Sequence, residues 1–169
     1  MQGLMMNAPL TITSIVKHAE AVHGRKEIVS VTRDNPRHRY TYKDAFARAR
    51  RLANAIADWQ LEESARVATI AWNDYRHFET YYASACSGYV CHTINPRLFP
   101  EQIIYIINHA EDEYVFLDPD FWPIVEGVAD QCPGVKGWVI MTTREHMPET
   151  GRTNVLCYEE LISAHDDNF

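Results

Sequence analysis

Residues 66–72 read RVATIAW, a near-continuous apolar run. A short run without polar alternation is what a strand covered on both faces looks like. Three more segments of this kind follow: YVCHTI at 89–94, EYVFLD at 113–118 and GWVIMT at 137–142. Helical spacing fills the gaps between them. Tyr75 to Ser87 predicts a helix with Phe78, Tyr81, Tyr82 and Ala85 inward, stopped by Gly88. Pro100 suits the first turn of a second helix, which runs to Ala110 on Ile103, Ile104, Ile106 and Ile107. Phe121 to Gln131 predicts a third, with Cys132-Pro133-Gly134 as a break. Strands and helices in strict alternation, joined by short connections, predict an α/β fold: a mostly parallel sheet covered by helices.

Upstream, Thr11 to His23 has Ile12, Ile15, Val16 and Ala19 at helical spacing, with Gly24 placed to end it. Glu27–Thr32 and Arg37–Tyr42 predict two strands, and Asp34-Asn35-Pro36 between them predicts a hairpin. Thr41-Tyr42-Lys43-Asp44 has the capping-box pattern and opens a long helix to Gln60. Its stripe is Ala45, Ala49, Leu52, Ala53 and Ile56, with Arg48, Arg50 and Arg51 read as a solvated face. Downstream, 144–154 reads as a polar loop and Tyr158–Ala164 as a short helix. The organisation expected is one domain or lobe over 1–169. It comprises a flexible lead (1–10), helix, hairpin and long helix (11–64), an alternating core (65–143), and a polar loop with a short helix (144–169).

The chain has 169 residues, a formal net charge of -7 and 46% hydrophobic residues. That supports a core and argues against disorder. Twelve arginines against four lysines are scattered, and a mildly acidic chain does not gather phosphate backbones, so no nucleic-acid partner is expected. No apolar run reaches the ~20 residues of a membrane span. Residues 1–10 lack the features of a secretory signal, and Cys86, Cys91, Cys132 and Cys157 form no C-x-x-C pair. The expected compartment is the cytoplasm.

The usual chemistries leave little. Seven glycines form neither a dinucleotide fingerprint nor a phosphate loop. Cys86 and Cys91 with His77 and His92 permit a thiol nucleophile, although packing is the preferred role and the spacing fits no common zinc site. Glu111-Asp112-Glu113 reads as a solvated corner. Asp118-Pro119-Asp120 sits at a strand's carboxyl end, where open sheets place ligands, but a turn and helix cap is preferred.

Several pieces together carry a resemblance. Trp72-Asn73 ends an apolar strand, His77, Phe78 and Glu79 lie on the next helix, and Gly88 opens the next strand. Asn95-Pro96-Arg97-Leu98 precedes Pro100-Glu101-Gln102-Ile103, a strand ends at Asp118, and Tyr40-Thr41-Tyr42 lies upstream. In order and spacing this resembles the N-terminal segment of the AMP-forming acyl-CoA synthetases of the adenylate-forming superfamily. His92-Thr93 and Phe99-Pro100 are similar to its medium- and long-chain fatty-acid branch. The resemblance covers most of residues 11–165. It implies the first lobe of that family's N-terminal domain. It also implies a parent enzyme that uses ATP, magnesium and coenzyme A to form an acyl-adenylate and then a thioester. The family's Ser/Thr/Gly-rich loop, magnesium acid, ribose Asp and catalytic Lys are not found here, so no catalytic, metal or cofactor-binding residue is expected in this segment.

Arg97, in the loop after a strand, is the best single residue for contact with an anion of the substrate or coenzyme A channel, although a structural ion pair closing the loop is the preferred role. Trp72 and Asn73 are weaker candidates, against a core Trp and a turn Asn. Expected partners are the remainder of the parent enzyme, its fatty acid and a second copy of the chain. Three readings stay open: a ligase fragment inactive by itself, a binding or dimerisation module using residues 1–25 and strand edges, and a small thiol enzyme using Cys86 or Cys91.

Overall fold

The computed structural model describes residues 3, 4 and 6–169, so part of the expected lead at 1–10 lies outside the described residues. The chain runs α1 (Ile12–His23), β1 (Glu27–Ser30), β2 (His38–Thr41), α2 (Tyr42–Ala57), β3 (Arg66–Ile70), α3 (Tyr75–Cys86), β4 (Val90–Thr93), α4 (Pro100–Ala110), β5 (Tyr114–Leu117), α5 (Trp122–Val128), β6 (Gly137–Ile140), β7 (Val155–Cys157) and α6 (Tyr158–Ser163). β1 and β2 form an antiparallel pair, and the remaining strands form a five-stranded sheet in the order β4-β3-β5-β6-β7. Every pairing in that sheet is parallel.

The apolar runs do bury both faces. Because successive strand residues point to opposite sides, Val67, Phe116 and Val139 pack with Leu52 and Ile56 of α2 and Tyr158 and Ile162 of α6. Their neighbours Ala68, Val115, Leu117 and Trp138 pack with Ile103 and Ile107 of α4 and Trp122 and Val125 of α5. The sheet is thus a layer between two helical layers, each with its own core.

Local chemistry sets the boundaries. Asp44 N–H donates to Thr41 Oγ1 (3.3 Å) and Thr41 N–H donates to Asp44 Oδ2 (3.0 Å), so the expected capping box opens α2. Gly88 follows α3 at φ 84°, a left-handed conformation that a side chain would strain. β7 was not expected: three residues are too few to show a period, and only its pairing with Trp138–Ile140 defines it.

Other expectations are corrected. α3 turns Phe78, Tyr82 and Ala85 only partly inward and leaves Tyr81 exposed; its buried residues are Tyr75, Arg76, Glu79, Thr80, Ala83 and Ser84. Charge can sit there because each charge is met. Arg48 Nε–H donates to Glu79 Oε1 (2.8 Å), and the Tyr158 hydroxyl donates to Glu79 Oε2 (2.7 Å). Arg76 donates to Glu159 (2.7 Å) and bidentately to Asp34 (2.7 and 3.1 Å). The arginines of α2 are therefore no solvated face: Arg48 also forks onto Glu159, and Arg50 onto Glu20. α1 forms as expected but buries no residue, and Ile12 and Ile15 are exposed because the core ends at its inner side. Glu111-Asp112-Glu113 is a solvated corner only in part: Glu111 is exposed, but Asp112 is buried, with both oxygens 2.9 Å from His92 Nδ1.

Candidate functional site

The strand order dictates where a crevice opens. β3 leads to α3, which lies with α2 on one face, while its neighbours β4 and β5 lead to α4 and α5 on the other. The loops leaving β3 therefore diverge from those on either side, and such divergence at the carboxyl ends of parallel strands is where open α/β sheets take ligands. Two clefts result, of about 840 Å³ and 600 Å³, and Trp72 lines both.

Trp72 is a fixed partition. Its backbone N–H donates to Asp118 Oδ2 (2.6 Å) and its Nε1–H to Asp120 Oδ2 (3.3 Å). Its ring leans on Phe121 at 4.9 Å between centroids. His77 Nδ1 lies 3.2 Å from the Trp72 carbonyl oxygen and His77 Nε2 lies 3.1 Å from Thr69 Oγ1. The carbonyl can only accept, which assigns the proton to Nδ1 and leaves Nε2 to accept from the threonine. Burial lowers the His77 pKa, in keeping with that neutral ring. Trp72 itself is 44% exposed, so the core-Trp reading is wrong: the chain turns outward there before α3 begins.

The larger cleft lies beyond β3 and β4. Its apolar and aromatic wall is Ile28, Phe78, Tyr81, Tyr82, Ile94 and one side of Trp72. All three residues singled out from the sequence, Trp72, Asn73 and Arg97, line it. Arg97 is exposed and forms no ion pair among the described residues, so the expected ion pair closing its loop is absent. The loop is closed instead by the Asn95 side chain, with Arg97 N–H donating to Asn95 Oδ1 (3.0 Å). The one carboxylate of this cleft, Asp74, caps α3 by accepting from the N–H groups of Arg76 (2.9 Å) and His77 (3.0 Å).

The smaller cleft is of opposite character. Asp34, Asp74, Asp118 and Asp120 line it with Arg33, Arg76 and His146. Arg33 is paired with Asp120 and Arg76 with Asp34 and Glu159. Burial, opposed by the Trp72 N–H and reinforced by the Asp74 and Asp120 carboxylates, pushes Asp118 up to about 7. Asp118 stands at the expected turn and N-cap position, where its carbonyl accepts from Phe121 N–H (3.0 Å), but its carboxylate makes no capping bond and reaches across to the β3 loop instead. Sequence reasoning did not assign His77 to this site; its position on the first turn after the Asp74 cap was the available signal.

A family model described as AMP-binding enzyme matches residues 16–161. This chain belongs to the AMP-binding enzyme family. It is 46% identical over 169 residues to the medium-chain-fatty-acid–CoA ligase of Ectopseudomonas oleovorans, covering 100% of this chain and 31% of that protein. It is 44% identical over the same 169 residues to the 3-methylmercaptopropionyl-CoA ligase of Ruegeria lacuscaerulensis, again covering 31% of the relative. Its fold matches the crystal structure of coronafacic acid ligase from Pectobacterium brasiliense with a TM-score of 0.81, at 17% identity over 95% of this chain and 31% of that one. The chain thus spans under a third of the length of these relatives.

Among the described residues of this AMP-binding enzyme segment, no group of three or more His, Cys, Asp or Glu side chains is arranged to hold a metal ion. The smaller cleft, with more carboxylates than cations, repels a triphosphate. A thiol nucleophile fares no better. Burial pushes the Cys91 thiol up to about 11, and no cysteine is hydrogen-bonded to a histidine among the described residues. No helix of the described residues is long and apolar enough to cross a membrane.

Proposed function

We propose that this chain is the first lobe of a fatty-acid–CoA ligase, one lobe over 1–169 organised as read from the sequence. Its parent joins a carboxylate to ATP·Mg, releasing pyrophosphate, and then passes the acyl group to the thiol of coenzyme A, releasing AMP. The observation that carries this reading is the uninterrupted similarity to a medium-chain-fatty-acid–CoA ligase along all 169 residues. The lobe acts as scaffold. The Arg48–Glu79–Tyr158 and Arg76–Glu159–Asp34 contacts clamp α2, α3, α6 and the hairpin into one layer. That layer holds the β3 exit loop, and Trp72, Asn73 and Arg97 face the acyl or coenzyme A channel from it. By itself the lobe is inactive, since adenylyl transfer needs cations and oriented N–H donors around the phosphates, and neither cleft supplies them.

A cytoplasmic location is the reading supported by its four free cysteines. Self-association through residues 1–25 is supported by the exposed Ile12, Ile15 and Val22 of α1. The activity is tested by a chimera in which residues 1–169 replace the matching part of the Ectopseudomonas oleovorans ligase. Octanoate-dependent exchange of pyrophosphate into ATP is expected. A soluble, folded chimera without exchange rejects the reading.

A further inference from the structure

The two clefts beside Trp72 differ in a way that selects a ligand. The smaller is acidic and its cations are already paired. The larger contains one free cation, Arg97, above an aromatic and aliphatic wall. Its one carboxylate, Asp74, is offset by the two N–H groups of the first turn of α3 that it accepts from, and His77 has both ring nitrogens engaged in a neutral ring. One guanidinium suits one carboxylate, which it can grip through two parallel N–H groups. It does not suit a nucleotide or coenzyme A, whose several phosphates need several cations. The stretch of wall formed by Phe78, Tyr82, Ile28 and Ile94 suits an apolar body at its rings and methyl groups, with Ser30, Thr93 and Asn95 as polar neighbours.

From these observations we infer that the larger cleft is a holding site for the free fatty carboxylate, with Arg97 on the carboxylate and the alkyl chain lying along Trp72, Phe78, Tyr81 and Tyr82. The inference rests on the ligase reading for the identity of the acid, and adds that the acid is captured on this lobe without ATP. No bond is made or broken there. Trp72, fixed by Asp118, Asp120 and His77, closes the cleft toward the acidic side and keeps the anion away from Asp118.

The test uses residues 1–169 and octanoate, followed by titration calorimetry and by tryptophan fluorescence. Saturable binding with Kd at or below about 1 mM is expected, without ATP or magnesium. Arg97→Gln, at an exposed site without an ion pair, leaves the melting curve unchanged and raises Kd by about tenfold or more, the loss expected for a charged hydrogen bond. Octanol, with the same chain and no charge, binds wild type and variant alike and more weakly than octanoate. Absence of octanoate binding overturns the proposal, as does binding indifferent to Arg97→Gln, or binding of coenzyme A in preference to octanoate. Pyrophosphate exchange by the chimera is read separately: exchange without a holding site rejects this inference and leaves the ligase reading standing.

Discussion

Arg48 donates its Nε–H to Glu79 Oε1 across 2.8 Å, and the Glu79 side chain is wholly shielded from water. Burial pushes the Glu79 carboxyl up, while the Arg48 guanidinium and the Tyr158 hydroxyl pull it back. With a donor on each oxygen, the carboxylate acts as the acceptor that joins α2, α3 and α6. Removing it leaves the buried Tyr158 hydroxyl without its acceptor and leaves the Arg48 guanidinium, 24% exposed, with Glu159 as its one remaining carboxylate. Glu79→Ala is expected to cost about 3–5 kcal/mol in urea unfolding. The exposed pair Arg39–Glu27 is the control, where Glu27→Ala should cost at most about 1 kcal/mol. Equal effects of the two substitutions would mean that the buried network is not what fastens the helical layer.

Asp118 gives the fold a pH dependence of definite sign. Its folded pKa, about 7, stands above the ordinary 3.8. Below pH ~4 folded and unfolded chains both hold the proton, and the group costs nothing. As pH rises toward 7 the unfolded chain releases the proton first, so stability falls, and above 7 the cost is constant. The full difference is on the order of 3–4 kcal/mol. Asp118→Asn should flatten that stretch of the stability profile, as followed by denaturant unfolding between pH 4 and 7. A variant whose slope parallels the wild type would show that Asp118 titrates normally.

Asp34 has the opposite sign. Burial raises its carboxyl, but hydrogen bonds from Arg76 and Thr32 outweigh that and hold it at about 2. Its contribution is present above the ordinary carboxylate range and is lost as pH falls toward 2. Asp34→Asn should therefore weaken the protein at pH 5 and converge with wild type near pH 2. Divergence that grows on acidification would contradict the Arg76 pairing.

The capping box of α2 predicts a smaller effect. Thr41→Ala removes the acceptor for Asp44 N–H and should cost about 1 kcal/mol in thermal or urea unfolding, with the clefts unaffected. No measurable cost would mean that water or Asp44 replaces the hydroxyl.

Much of this fold was legible because its strands are buried on both faces. RVATIAW and EYVFLD could hardly be anything else, and Thr41 and Asp44 mark the start of α2 three residues apart. What was not legible depends on distant partners. Arg76 and Glu79 look like surface residues until Asp34, Arg48, Tyr158 and Glu159 are brought around them, and Asp34 is 42 residues from Arg76 while Glu159 is 83. β7 has no pattern of its own and exists by pairing with β6. At the site, the sequence singled out Trp72, Asn73 and Arg97, which the fold gathers around one cleft. It placed Asp118 at a turn and cap position but not its carboxylate, whose bond to Trp72 crosses from one strand's exit to another's.

The division of labour between this lobe and the rest of a ligase is open to a direct titration. Calorimetry of residues 1–169 with ATP·Mg should show no saturable heat in the millimolar range, because the clefts offer one unpaired arginine and an excess of carboxylates to a polyanion. Saturable binding at or below about 1 mM would place the nucleotide on this lobe and contradict its role as the scaffold of a site built elsewhere.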